Sequence, residues 1–174
     1  MVESLLKVHV MSCAKTVALP FLLLTLIAVS TTEAAKPVPL KIRAQLTICT
    51  AEECPEAVQL FGAGGPNRVF AIDVGNATHF GQFRTVYAAD VGADGSFVGK
   101  FQLTAADGSK IYGMNSGFLA APDGPSTPFT AHFMGGTKRF QHTKAYVKGT
   151  ITAGVDGGPG SYRGQGKIIL DTRR

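Results

Sequence analysis

Residues 127–155 read TPFTAHFMGGTKRFQHTKAYVKGTITAGV, two alternating segments joined by a Gly-Gly-Thr corner. On each side of the corner, small or apolar residues occupy every second position: Phe129, Ala131 and Phe133 before it, and Ala145, Val147, Gly149 and Ile151 after it. A period of two places alternate side chains on opposite faces of a β-strand. This stretch therefore predicts two antiparallel strands, each with one face toward a core.

The same alternation recurs along the rest of the chain. Further predicted strands are Lys41–Ile48, Arg68–Val74, His79–Ala89, Ser96–Ala105, Lys110–Leu119 and Tyr162–Leu170. Turn signals occur at Asp94-Gly95, Asp107-Gly108, Asp123-Gly124 and Asp156-Gly157. Asp-Gly between alternating runs favours a hairpin, because both residues tolerate the positive φ of primed turns. The segment Glu56–Phe61 fits either a short strand or a turn of helix.

Consecutive hairpins make a meander, and a meander of about eight strands can close into a barrel without free edges. Glycines within the predicted strands fit the bends of a tight barrel; they are Gly99, Gly113, Gly149, Gly164 and Gly166. We predict an all-β fold, a small antiparallel closed barrel, with a two-sheet β-sandwich as the alternative. The residues expected to line the interior are Phe70, Phe83, Phe97, Phe101, Phe129 and Phe133.

The chain begins with the pattern of a secretory leader. Lys7 and Lys15 precede the apolar run 17–29, and small residues follow at 30–35. A positive region, roughly 7–15 apolar residues and small residues at the cut characterise signal peptides, whereas a membrane-spanning helix needs about 20 apolar residues. We predict that residues 1–35 are a signal peptide and 36–174 a single secreted or periplasmic β-barrel domain. A membrane anchor is the alternative; no stable span is expected after cleavage.

Two of the three cysteines lie in the predicted domain. Cys13 lies in the leader, whereas Cys49 and Cys54 are separated by four residues, Thr-Ala-Glu-Glu. In an oxidising compartment such a pair closes a small disulfide loop. A redox or metal pair is the competing interpretation, but the spacing is not C-x-x-C and no cluster of Cys or His lies nearby. We therefore expect a disulfide and no metal.

The net charge is +5, and the positive residues are scattered along the chain. Nucleic-acid binding needs a basic face interleaved with stacking aromatic residues. We instead expect a solvated strand face and no nucleic-acid partner. Interaction with a surface or a cell envelope through the face formed by Lys138–Lys148 stays open as a further possibility.

The chain contains no nucleophile motif and no phosphate-binding loop, so the barrel interior is the remaining functional element. A small barrel is either filled by side chains or hollow enough for one small ligand. The candidate ligand-binding residues are His79, Arg84, Tyr87, Tyr112, Phe83 and Phe101. His79 could serve as an acid, base or ligand, or could tie a strand end by donating to a backbone carbonyl. We expect His132 to face outward and His142 to be solvated.

Three segments occur in an order that resembles a known group of proteins. Gly75–Gly81 reads GNATHFG, Leu103–Gly108 reads LTAADG, and Gly135–Phe140 reads GGTKRF. They resemble segments of secreted bacterial proteins of unassigned function, related to allene oxide cyclase and dirigent-like barrels. Lys138 stands where that pattern usually has glycine, and a lysine in a positive-φ corner carries a steric penalty.

These observations predict a binding or structural module, with a small apolar molecule as the expected ligand and no cofactor. The resemblance implies an alternative, a cofactor-free cyclase or isomerase. An enzyme should have a cavity with at least two converging polar groups of perturbed pKa, whereas a binding module needs no such pair. The sequence leaves the ligand, the catalytic residues and the oligomeric state open.

Overall fold

The computed structural model describes residues 35–121, 124–155 and 158–170. The strands are β1 (Val38–Cys49), β2 (Arg68–Ala77), β3 (Gly81–Val91), β4 (Ser96–Ala105), β5 (Lys110–Phe118), β6 (Thr127–Gly136), β7 (Lys144–Thr152) and β8 (Gly160–Ile169). A helix, α1 (Pro55–Phe61), follows β1, and a short 3-10 helix (Lys138–Phe140) follows β6. The predicted signal peptide and Cys13 lie outside the described residues, except for Ala35.

Each strand pairs antiparallel with the next, and β1 also pairs with β8, which closes the barrel. The closing register places Leu40 opposite Gly166 and Ala44 opposite Tyr162. The predicted barrel is therefore confirmed, and the sandwich alternative is wrong. Closure satisfies the backbone groups that an open sheet would leave at its edges.

The Asp94-Gly95 and Asp107-Gly108 turns form where expected but with a different geometry, whereas Asp123, Asp156 and Gly157 of the other two predicted turns lie outside the described residues. Gly95 and Gly108 have φ of 79° and 73°, whereas Asp94 and Asp107 do not have positive φ. Each aspartate instead accepts a hydrogen bond from the backbone N–H two residues on, at 3.0 Å from Ser96 and at 2.9 Å from the residue after Gly108. This Asx interaction holds the turn with glycine alone in the left-handed region.

Helix α1 settles the ambiguity over residues 56–61, and it lies outside the barrel. Its buried Ala57 packs with three outward residues of β2 and β3, namely Phe70, Val86 and Ala88. The prediction that Phe70 lines the interior is therefore wrong. Strands β2 and β3 are covered on both faces here, so their apolar residues do not all point inward. No helix in the described ranges is long and apolar enough to span a membrane.

A disulfide joins the end of β1 to the start of α1. Cys49 and Cys54 are bonded with their Cα atoms 6.0 Å apart, as the spacing predicted. Cys54 is the residue before the helix and is almost fully buried with Ala57. The pair is compatible with an extracellular location.

The two ends of the barrel are built differently. We call the end formed by the β2–β3, β4–β5 and β6–β7 connections the plugged end, and the other the open end. At the plugged end the Phe80 ring lies 5.3 Å from the Phe140 ring and 5.7 Å from the Phe133 ring, measured between centroids. Strand β3 begins at Gly81, two residues later than predicted, because Phe80 belongs to this turn.

Candidate functional site

A cavity of about 480 Å³ occupies the open half of the barrel. Its walls are mostly apolar and include Leu46, Val69, Ala89, Val91, Phe97 and Ile151. Gly99 helps to keep this space open, since a Cβ there would come within 2.8 Å of the Ala89 Cβ and 2.7 Å of Asn115 Oδ1. Sites for small molecules commonly measure about 300–1,000 Å³. The barrel is thus hollow at one end and filled at the other.

Three polar side chains meet beneath this cavity. The Tyr162 hydroxyl lies 2.7 Å from Asp73 Oδ2, and the Tyr87 hydroxyl lies 3.3 Å from the Tyr162 hydroxyl. Asp73 is only 1% exposed, while both tyrosines line the cavity wall. A hydrogen-bonded chain therefore leads from a buried carboxyl group to the space where a ligand would lie.

The buried environment of Asp73, Tyr162 and Tyr87 favours the neutral form of each side chain. Burial raises the pKa of Asp73, and the hydrogen bond from Tyr162 only partly opposes it. Burial also raises the pKa of Tyr162 and of Tyr87 well above the usual tyrosine value, and the nearby Asp73 adds to both shifts. Desolvation disfavours a charged form that has no compensating partner. Both tyrosines therefore keep their protons, and Asp73 holds its proton to a higher pH than an exposed aspartate.

Several buried polar atoms near the hydrogen-bonded residues Asp73, Tyr162 and Tyr87 have no hydrogen-bond partner. They include Asp73 Oδ1, Thr85 Oγ1 and Asn115 Oδ1. A second, smaller void of about 20 Å³ is lined by Thr85, Tyr87, Asn115 and Tyr162. An unpaired buried polar group costs about 1–3 kcal/mol. Of these three residues, Asn115 also lines the cavity of about 480 Å³, so a ligand there would gain most by donating a hydrogen bond to Asn115 Oδ1.

The structure brings part of the predicted site together. Tyr87 lines the cavity as expected, and Phe101 lies inside the barrel with its ring 5.8 Å from that of Tyr87. Phe83 is also inside, among the buried residues of the main core. All three side chains point into the barrel. Among the other predicted phenylalanines, the inward ones are Phe97, Phe129 and Phe133.

Two predicted polar contacts face away from the interior. Arg84 lies on the outer face of β3, where its Nη1 is 2.6 Å from Glu56 Oε2 of α1. Tyr112 is 42% exposed on the outer face of β5. Arg84 alternates with the inward-facing Phe83 and Thr85, so it must point outward. The expectation that Arg84 and Tyr112 contact an interior ligand is therefore wrong.

His79 lies at the plugged end, away from the cavity. Its Nε2 is 3.0 Å from the carbonyl oxygen of Pro39, which ties the β2–β3 turn to β1. Its own carbonyl accepts a hydrogen bond from Arg139, whose Nε also pairs with Asp107 at 2.8 Å. Of the two roles considered for His79, these contacts favour the structural one. His132 and His142 are exposed, as predicted.

The resembling segments also meet at the plugged end. They form its three turns, and Lys138 has a φ of 51°, in the left-handed region where glycine is favoured. Its Nζ lies 3.3 Å from the carbonyl oxygen of Asp107 in the neighbouring turn. These segments therefore connect the turns to one another, and none of their residues lines the cavity of about 480 Å³.

Sequence reasoning missed two residues of the polar chain, Asp73 and Tyr162. Assigning Phe70 to the core face placed Asp73 on the outer face, because residues three apart in a strand point to opposite sides. This assignment reversed the true orientation of β2. The small residues Ala71 and Ala77 share the face of Asp73 and line a narrow interior better than Phe70 would. For Tyr162 a sequence signal was present. It lies on the same face of β8 as Gly164, Gly166 and the buried Ile168, so alternation alone places it inside the barrel.

Comparisons of the chain with protein-family models, with curated proteins and with solved structures give no match. The described residues also contain no group of three or more His, Cys, Asp or Glu side chains placed to hold a metal ion. The geometry of the barrel is thus the basis for an argument about function.

Proposed function

We propose that this protein is a secreted or periplasmic binding protein that holds one small, mostly apolar molecule in its barrel. The observation that carries the proposal is the cavity of about 480 Å³ with apolar walls and a polar floor. Burying apolar surface stabilises a complex by roughly 25 cal/mol per Å² before the costs of association. The leader pattern of residues 1–35 and the Cys49–Cys54 disulfide support an extracellular or periplasmic location.

The floor of the cavity defines the polarity of the expected ligand. Its walls offer few hydrogen-bonding groups, whereas the Tyr87 hydroxyl and Asn115 Oδ1 lie at the inner end. A molecule with one hydroxyl group and an apolar body satisfies both regions, because its O–H can donate to Asn115 Oδ1. An anionic group at the inner end of the ligand is disfavoured, because no Lys or Arg side chain among the described residues lines this cavity to provide a counter-charge.

Native mass spectrometry of the protein purified from its own source tests this proposal. A co-purifying molecule of a few hundred daltons supports it. As an independent probe, neutral N-phenyl-1-naphthylamine should fluoresce on entering the cavity. Ala89→Phe fills the cavity and should abolish this signal. Val98→Phe adds the same ring on the outer face, at a side chain that is 57% exposed, and should not. Equal binding by both variants would refute cavity binding.

The Asp73–Tyr162–Tyr87 chain favours a second candidate, a cofactor-free cyclase or isomerase. Such an enzyme needs groups that exchange a proton with a bound substrate, and a neutral carboxyl linked to a cavity-lining hydroxyl has that ability. The resemblance to allene oxide cyclase and dirigent-like barrels supports the same reaction class. This candidate requires turnover, whereas the binding function requires only retention of the ligand.

Incubation of the co-purified molecule with the protein in D₂O separates the two candidates. Proton-transfer catalysis should introduce deuterium at carbon or change the retention of the molecule in chromatography. Asp73→Asn should suppress that change while leaving N-phenyl-1-naphthylamine binding intact. A molecule recovered unaltered after long incubation would leave binding as the function.

A further inference from the structure

The outer face of β7, β8 and β1 gathers cations that lie far apart in the sequence. Lys41 and Arg43 come from β1, Lys148 from β7, and Arg163 from β8. The register places Arg43 opposite Arg163, and both Lys41 and Lys148 opposite Gln165. Neighbouring strands lie about 4.8 Å apart. These residues, with Asn76 and Thr150, line one surface groove of about 600 Å³, the basic groove.

No acidic side chain lines this groove. The exposed acidic residues that the structure describes lie elsewhere, around α1, near the end of β3 and in the turns after β3 and β4; they are Glu52, Glu53, Glu56, Asp90, Asp94 and Asp107. Three of these acids form ion pairs with Arg68, Arg84 and Arg139. Within the described ranges, none of the four groove cations pairs with a carboxylate.

Two cross-strand arginine positions show how unusual the groove is. Arg68 lies directly opposite Asp90, and the two side chains pair at 2.7 Å. Arg43 instead lies directly opposite Arg163, with both side chains exposed. Like charges directly opposite one another destabilise an antiparallel sheet. A repulsive pair at the centre of a concave surface is relieved when an external anion lies between its members.

We propose that the basic groove binds an anionic polysaccharide. The repeated charges of such a polymer match adjacent cations on three strands. The amide group of Gln165 lies between Lys41 and Lys148, and Asn76 and Thr150 lie at the two ends of the row that Arg43 and Arg163 form. All three side chains can hydrogen-bond sugar hydroxyls. The groove is on the side of the barrel, so the polymer leaves the cavity free. This binding does not depend on the proposed cavity ligand.

Other anionic partners fit the groove less well. Single-stranded nucleic acid binds through stacked aromatic rings, and no ring lines the groove. Tyr146, on the outer face of β7, already has Lys148 over its ring at 5.7 Å. A membrane surface is contacted by basic residues together with apolar side chains that insert, and the one large apolar residue lining the groove, Ile42, is buried.

Calorimetric titration of the purified full chain tests the proposal with two probes of equal length. One is a heparin-derived dodecasaccharide, which carries sulfates, and the other is a dodecamer of galacturonate, which carries carboxylates. At least one should bind, and its Kd should rise by about tenfold or more between 50 and 200 mM salt, because counterion release drives such binding. Neutral dextran of the same length should not bind.

Charge reversal then locates the site. Arg43→Glu combined with Arg163→Glu should weaken binding at least tenfold, whereas Lys100→Glu combined with Lys110→Glu makes the same change in net charge elsewhere and should have little effect. If the first variant does not fold, Arg43→Gln with Arg163→Gln serves instead, since it removes the repulsion without adding acids.

Several outcomes would overturn the proposal. One is equal loss of affinity in the groove variant and the control variant, and another is absence of binding to both anionic probes at 50 mM salt. Tighter binding of oligo(dT) with equal charge, abolished by the groove variant, would make the groove a nucleic-acid site. The same result with phosphatidylserine vesicles would make it a membrane contact.

Discussion

The two ends of the barrel differ in how their interiors are packed. At the plugged end Phe80, Phe133 and Phe140 fill the interior, and the turns are joined to one another through Arg139 and Lys138. At the open end the rim is exposed and the interior is hollow. The segments GNATHFG, LTAADG and GGTKRF, on which the proposed resemblance rests, lie at the plugged end, so they support the barrel more directly than they support an activity.

The largest expected effect contrasts one apolar residue from each end. Phe140→Ala should lower the free energy of unfolding by about 3–5 kcal/mol, because it leaves a cavity among packed rings. Ile48→Ala at the open end should cost less than about 1 kcal/mol, since Ile48 is 60% exposed. Urea unfolding measures both. Comparable losses would show that the two ends do not differ in packing.

A smaller loss is expected from removal of the disulfide. Replacing Cys49 and Cys54 together by alanine should cost about 2 kcal/mol, because the bond restricts the unfolded chain across a short loop. Circular dichroism should show that the barrel persists in this variant. If the variant and the wild-type protein unfold at the same urea concentration, the bond does not stabilise the fold.

The next effect is the pH dependence of the free energy of unfolding, which has opposite signs at Asp73 and Asp107. Burial raises the folded-state pKa of Asp73 above its unfolded value of about 3.9. Its contribution to stability is therefore complete below that value and is lost as the pH rises through the folded pKa. The backbone N–H of Ser109 lowers the pKa of Asp107, whose contribution is present above about 3.9 and is lost as the pH falls.

Urea unfolding at a series of pH values checks both signs. Asp73→Asn should flatten the decline of stability above about pH 4, and Asp107→Asn should flatten the decline below it. The wild-type protein is the reference for each curve. If Asp73→Asn leaves the decline above pH 4 unchanged, Asp73 does not carry a raised pKa.

The smallest effect concerns the corner at the plugged end. Lys138→Gly should raise the free energy of unfolding by up to about 1 kcal/mol, because glycine adopts a φ of 51° without strain. Part of this gain is offset by loss of the Nζ contact with Asp107. Gly135→Ala, at a φ of 119°, is the matched control and should destabilise. Thermal unfolding of the two variants should therefore shift in opposite directions.

The sequence predicted the closed barrel because alternation and turn chemistry are local properties. It assigned Phe70 and Arg84 to the interior wrongly, since a period of two separates two faces without saying which one is inside. Helix α1 buries the outer face of β2 and β3, so both faces there carry apolar residues. The cavity could not be predicted, because it depends on how side chains from several strands fill a common space.

The central claim is that a small apolar ligand enters at the open end and leaves the plugged end unaffected. Titration of ¹⁵N-labelled protein with N-phenyl-1-naphthylamine, followed by amide chemical shifts, tests it most directly. Shifts are expected at Val69, Ala71, Ala89 and Val91, with His79 and Phe140 unchanged. Shifts concentrated at His79 and Phe140, or no shifts with saturating probe, would contradict it.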